Sequence, residues 1–131
     1  MAKKILIVED YTNIVDILTL RLQKMGYEVI SAFDGQEGLK LARQEKPDLI
    51  ILDVLLPKMN GYKVCRLLKF DIKYKHIPII MLTSRETKNH ERIGRSAGAD
   101  EYVFKSDRSG MLLKLIRKYL EKPDEESVEQ N

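Results

Sequence analysis

Pro47-Asp48-Leu49-Ile50-Ile51-Leu52-Asp53 decides the fold. Four consecutive apolar residues, entered through a proline and left through an acid, suit a strand buried on both faces. A matching run, Ile5-Leu6-Ile7-Val8, ends in Glu9-Asp10. Three more runs, Val29 to Ala32, Ile77 to Leu82 and Tyr102 to Phe104, follow at intervals of roughly 25 residues, enough for a crossover helix between parallel strands.

The intervals carry helical periodicity. Ile14, Leu18, Leu22 and Met25 fall on one face before Gly26, and Leu39 and Ala42 lie inward on a helix from Gly35 to Lys46 that Pro47 stops. Val64, Leu67 and Leu68 follow Asn60-Gly61; Ile93 marks a helix from Thr87 to Ala97; and Leu112, Leu115, Ile116 and Tyr119 mark one from Ser109 to Glu121. Five alternations predict an α/β fold, a doubly wound five-stranded parallel sheet in the flavodoxin-like order 2-1-3-4-5 with helices on both faces.

The chain has 131 residues, 44% hydrophobic and 33% charged, which suits one domain and leaves no room for a separate substrate domain. No apolar run approaches the ~20 residues of a membrane span, and Glu9-Asp10 interrupts the N-terminal run too early for a signal peptide. No membrane association is expected, and the expected location is the cytoplasm. The single Cys65 excludes an internal disulfide, and His76 and His90 complete no zinc-type ligand set; both histidines are expected in solvent. Cys65 reads as a small helix residue near the core. Within 121–131, five acids stand against Lys122 alone, so residues 1–121 are expected to form the domain and 122–131 an acidic, disordered tail.

In the predicted order the first and third strands are neighbours, and ligands bind at that switch point beyond the carboxyl ends. Glu9, Asp10 and Asp53 stand there, with strands ~4.8 Å apart. Carboxylates that close repel, and a divalent cation relieves them; an oxygen-only set open to water and phosphate oxygens suits Mg2+, with Mn2+ as a substitute. Thr83 and Lys105 end the fourth and fifth strands and offer a hydroxyl and a cation. Alone, each is an ordinary turn or cap residue. Together they form a layout for placing a phosphoryl group on Asp53.

Five motifs now add a resemblance: Ile-Leu-Ile-Val-Glu-Asp at 5–10, Pro-Asp-Leu-Ile-Ile-Leu-Asp at 47–53, Leu-Pro-Lys-Met-Asn-Gly at 56–61, Ile-Pro-Ile-Ile-Met-Leu-Thr-Ser at 77–84 and Ala-Gly-Ala-Asp-Glu-Tyr-Val-Phe-Lys at 97–105. From residue 3 to about 120 the chain closely resembles the receiver domain of two-component response regulators. The resemblance implies that Asp53 is the phosphoacceptor, that Glu9, Asp10 and the Leu55 backbone carbonyl hold the metal with Asp53, and that Thr83 and Lys105 contact the phosphoryl oxygens. It also implies that Tyr102 is the aromatic switch residue, turning inward once Thr83 moves toward the phosphoryl group. The donor would be a sensor histidine kinase or histidine phosphotransfer protein, and a downstream protein partner would read the changed surface. The protein would be a signalling domain, not an enzyme, acting as a monomer or a phosphorylation-dependent dimer.

Three features depart from the family pattern or tune it. Ser106 stands where receivers usually carry a proline, so the Lys105–Ser106 peptide is expected to be trans, and the start of the last helix, where Asp107 or Ser109 could cap, is left open. Leu55 and Arg85 flank the site; Leu55 offers no polar group to orient water, which points to slow autodephosphorylation. From Lys58 to Arg95, ten bases stand against three acids, with Lys88, Arg92 and Arg95 on one helix face. That reads as a solvated face or a docking surface for an acidic partner; without stacking aromatics, no direct nucleic-acid contact is expected.

A stand-alone receiver is the leading expectation, with an N-terminal receiver piece of a larger regulator as the chief alternative. An aspartyl-phosphate phosphatase would carry an acid two residues beyond Asp53, where Leu55 stands. A nucleotide-binding module would carry a Gly-rich loop after the first strand, and Glu9-Asp10-Tyr11-Thr12 is none.

Overall fold

The computed structural model describes residues 2–84 and 88–121. Its elements are β1 (Lys4–Val8), α1 (Thr12–Lys24), β2 (Glu28–Ala32), α2 (Gly35–Glu45), β3 (Leu49–Leu52), α3 (Gly61–Lys69), β4 (Ile79–Thr83), α4 (Lys88–Ser96), β5 (Glu101–Phe104) and α5 (Met111–Leu120). The five strands are parallel in the order β2-β1-β3-β4-β5, as the alternation predicts.

Period-two alternation divides the central strands between two cores. Ile5, Ile7, Leu49, Ile51, Ile80, Leu82 and Val103 pack with Val15 and Leu22 of α1 and Ile116 of α5. Leu6, Val8, Ile50, Leu52, Ile79, Met81 and Tyr102 face the other way and pack with residues of α2 and α3 and with Ala97, just beyond α4. Every residue of β3 and β4 is buried, which is why those runs read as continuously apolar, whereas only Ala32 of the edge strand β2 is buried.

Local chemistry fixes the helix ends. The Asp34 side chain accepts from the Glu37 N–H at 2.7 Å and Asn60 from the Lys63 N–H at 3.0 Å, so both cap their helices. Gly26, with φ of 95°, follows α1, as its position predicts.

Several expectations need correction. β4 begins at Ile79, not Ile77: Pro78 has no N–H for the ladder, and the Ile77 carbonyl accepts from Lys69 Nζ at 3.0 Å. That ammonium also donates to the Lys75 carbonyl and to Asp100, bracing the loop from α3 to β4. Leu67 faces outward, and Cys65 takes the inward position beside Val64 and Leu68. α5 begins at Met111, not Ser109, because the Asp107 carboxylate accepts from the Ser109 N–H at 2.7 Å in a tight turn and Gly110 takes φ of 81°. The peptide after Lys105 is trans, there being no cis peptide among the described residues. Arg85, Thr87 at the expected start of the fourth helix, and the expected tail at 122–131 lie outside the described residues.

Candidate functional site

Sheet register builds the site. Val8 pairs with Leu52, so Glu9 and Asp53 leave adjacent strands at the same level, tied by the bond from the Asp53 N–H to the Val8 carbonyl at 3.0 Å. Thr83 pairs with Phe104, so Lys105 follows directly and its N–H donates to the Thr83 carbonyl at 2.8 Å. Continuing each strand by one residue thus delivers acid, acid and lysine to one end of the sheet.

The acids converge. Glu9, Asp10 and Asp53 each offer a carboxylate oxygen, all within 4.8 Å of one another. Glu9 and Asp53 are each only 3% exposed. Lys105 Nζ stands 2.5 Å from Glu9 Oε1 and 3.3 Å from Asp53 Oδ2, while the Val54 N–H donates to Asp53 Oδ1 at 2.8 Å and fixes that carboxylate. Burial pushes the Glu9 carboxyl up and Asp53 adds to the push, against the opposing pull of Lys105 and the Tyr11 N–H. Burial acts downward on Lys105, but the two carboxylates outweigh it and hold the ammonium above its usual range.

These charges do not balance within the described residues. Three carboxylates meet one ammonium, and the buried Asp10 Oδ1 has no hydrogen-bond partner. An orphaned buried acceptor beside two more carboxylates fits a hard divalent cation, so the donor set suits the expected Mg2+.

Behind the site, Gly61 at the start of α3 runs against Asp53. A Cβ there would lie 2.0 Å from the Asp53 carbonyl oxygen, so the close approach requires glycine. Gly61 closes the motif at 56–61, but no pattern in the sequence alone places it against Asp53.

Thr83 is fully buried, and Leu55 is 49% exposed on the loop beyond Asp53. Tyr102 lies inward, edge-on to Phe104 with ring centroids 5.7 Å apart, in space left by Gly94 of α4. His90, expected in solvent, is half-buried and takes part in two contacts with the Tyr62 hydroxyl, at its ring Nδ1 (3.2 Å) and its carbonyl (3.1 Å). Cys65 is buried as expected, and burial pushes its thiol up to about 12, which removes it as a nucleophile at neutral pH. On α4, Arg95 pairs with Glu91 at 3.3 Å, so one base of the basic face is already engaged. No helix among the described residues is long and apolar enough to cross a membrane.

Comparison with known proteins agrees with this arrangement. Residues 5–117 match the family described as the response regulator receiver domain. The chain is 47% identical over 105 residues to the alkaline phosphatase synthesis transcriptional regulatory protein PhoP of Bacillus subtilis (strain 168), covering 80% of this chain and 43% of PhoP. It is 40% identical over 129 residues to the probable transcriptional regulator ycf27 of Porphyridium aerugineum, covering 98% of this chain and 52% of that protein. The chain therefore spans about half the length of these curated relatives. Among solved structures, chemotaxis protein CheY4 of Vibrio cholerae superimposes with a TM-score of 0.83 at 33% identity, covering 92% of this chain and all of that one. By its matched span, its strand order and the convergence of Glu9, Asp10 and Asp53, the chain belongs to the response regulator receiver domain family.

Proposed function

We propose that Asp53 accepts the phosphoryl group, that Glu9, Asp10, Asp53 and the Leu55 carbonyl hold Mg2+ or Mn2+, and that Thr83 and Lys105 bind the transferred oxygens. The observation that carries this reading is the convergence of three carboxylates, two of them buried and sharing Lys105.

When bound, the divalent cation supplies charge neutralisation for the trio and the incoming phosphoryl oxygens. The protein's own residues do the rest. Val54 N–H holds the Asp53 carboxylate in one orientation, so it meets the phosphorus in line. One Asp53 oxygen forms the new O–P bond as the P–N bond to the donor histidine breaks, and that electron pair returns to the imidazole nitrogen. Lys105 stabilises negative charge on the equatorial oxygens from a position it already occupies. Thr83, at the adjacent strand end, donates its hydroxyl to one oxygen of the product. The resemblance has Tyr102 turn inward only once Thr83 has moved, but its ring already lies inward here, so in the proposed switch the phosphoryl contacts of Thr83 raise the population of an arrangement that the ring already adopts.

The donor in this proposal is a sensor histidine kinase or histidine phosphotransfer protein, and the readout is a protein target. A cytoplasmic setting belongs to the same proposal. Leu55 supplies no group to orient an attacking water, so autodephosphorylation is slow; a rapid Mg2+-dependent loss of phosphate from the isolated domain would refute that. Incubation of wild type and Asp53→Asn with radiolabelled acetyl phosphate and Mg2+ tests the assignment: wild type takes alkali-labile label and the variant does not. Equal labelling of both would overturn it.

A further inference from the structure

Tyr11 follows the acid pair and precedes α1, and no structural duty accounts for it. Its side chain is 63% exposed, so it is not core. It occupies the N-cap of α1 without making a side-chain cap, a position where Ser, Thr, Asp or Asn would serve better. Its ring instead lies beside Lys105, with Nζ 5.1 Å from the ring centroid, within the ~6 Å range of a cation–π contact. Its N–H meanwhile donates to Glu9 Oε2 at 3.2 Å, while the other oxygen of that carboxylate meets Lys105.

We propose that Tyr11 is a positioning residue for phosphoryl transfer, acting through Lys105: its ring holds the ammonium between Glu9 and Asp53, and its N–H holds the carboxylate that shares that ammonium. The inference rests on the roles of Asp53 and Lys105 proposed above. Lysine carries its charge on a flexible stem, and losing that freedom at the moment of reaction costs entropy. Two carboxylates draw Nζ into the site, and the ring covers a further direction, leaving the side chain 16% exposed beside a ring that is itself open to solvent. The ammonium is thereby placed before the donor arrives. An aliphatic side chain of similar bulk would fill the space without attracting the cation.

The test uses Tyr11→Leu and Tyr11→Phe in the full chain, with acetyl phosphate as donor and Mg2+ present. Tyr11→Leu is expected to lower the second-order rate constant of phosphorylation about 2- to 5-fold, the range of an exposed cation–π contact, and Tyr11→Phe to retain most of the rate. In a Lys105→Gln background, Tyr11→Leu is expected to add no further loss. A second readout needs neither metal nor donor: the Lys105 ε-methylene protons are expected to be shifted upfield by the ring, with the shift lost in Tyr11→Leu and kept in Tyr11→Phe. Unaltered methylene shifts in Tyr11→Leu, wild-type rates in that variant, or the same loss in the Lys105→Gln background would each overturn the proposal. Equal labelling of Asp53→Asn would strike the phosphoacceptor assignment instead, and the methylene shift would then decide the Tyr11 contact alone.

Discussion

Lys105 Nζ stands closer to Glu9 than to Asp53, 2.5 Å against 3.3 Å. The lysine that follows β5 is thus shared across the site, and it offsets the Glu9 carboxylate as well as that of Asp53, the proposed phosphoacceptor. In the proposed function a cation in that position serves two tasks, structural balance before transfer and charge stabilisation during it.

Lys105→Gln separates the two. Removing a preorganised charge of this type costs about 100-fold in rate, so phosphorylation by acetyl phosphate is expected to slow by about that factor. The same substitution leaves Glu9 and Asp53 buried without their ammonium and lowers metal-free stability by about 1–3 kcal/mol. Stopped-flow phosphorylation and urea unfolding check the two effects.

Metal is expected to stabilise the folded domain, because the site exists only when the strands are paired. At 100 times its dissociation constant, Mg2+ would add about 2.7 kcal/mol. Asp10→Asn keeps the shape but removes the charge beside the orphaned Oδ1, and most of this gain should vanish. Thermal unfolding with and without Mg2+ reads the difference.

Gly61→Ala is expected to destabilise the domain by about 1–3 kcal/mol, as overpacking does. The new methyl would meet the Asp53 carbonyl oxygen, which is backbone and has no rotamer to escape into. Displacing that carbonyl also moves Asp53, the proposed phosphoacceptor, so both the stability read by urea unfolding and the phosphorylation rate should fall.

Tyr119 gives the alkaline response. Burial, and then its bond to Glu101 at 2.8 Å, push its hydroxyl up to about 12 from the usual 10.0. A raised folded value favours the protonated phenol, so this contribution is complete below pH 10 and is lost as pH rises from 10 toward 12. Tyr119→Phe should cost about 1 kcal/mol at neutral pH and show a shallower loss across that window, measured by urea unfolding from pH 8 to 12.

Sheet order, strand positions and the convergence of Glu9, Asp10, Asp53 and Lys105 were legible because they follow from runs of apolar residues and from what ends them. Fully buried strands such as β3 leave an unambiguous record. Pairings between side chains from distant elements leave none, so the hold of Lys105 on Glu9 and the ring of Tyr11 beside it emerged only from the geometry. Periodicity also put Leu67 inward where Cys65 lies, since a face only three or four residues long leaves the helix phase ambiguous. α5 starts late for a local reason, the competing turn at Asp107 and the left-handed Gly110.

The central claim is that Asp53 carries the phosphoryl group, and chemical trapping tests it most directly. Wild-type protein is phosphorylated with acetyl phosphate and Mg2+, reduced with borohydride, which converts an aspartyl phosphate to homoserine with release of phosphate, and digested for peptide mass spectrometry. Homoserine at position 53 alone, dependent on Mg2+, is the predicted result. Reduction at any other carboxylate, with position 53 left as aspartate, would contradict it.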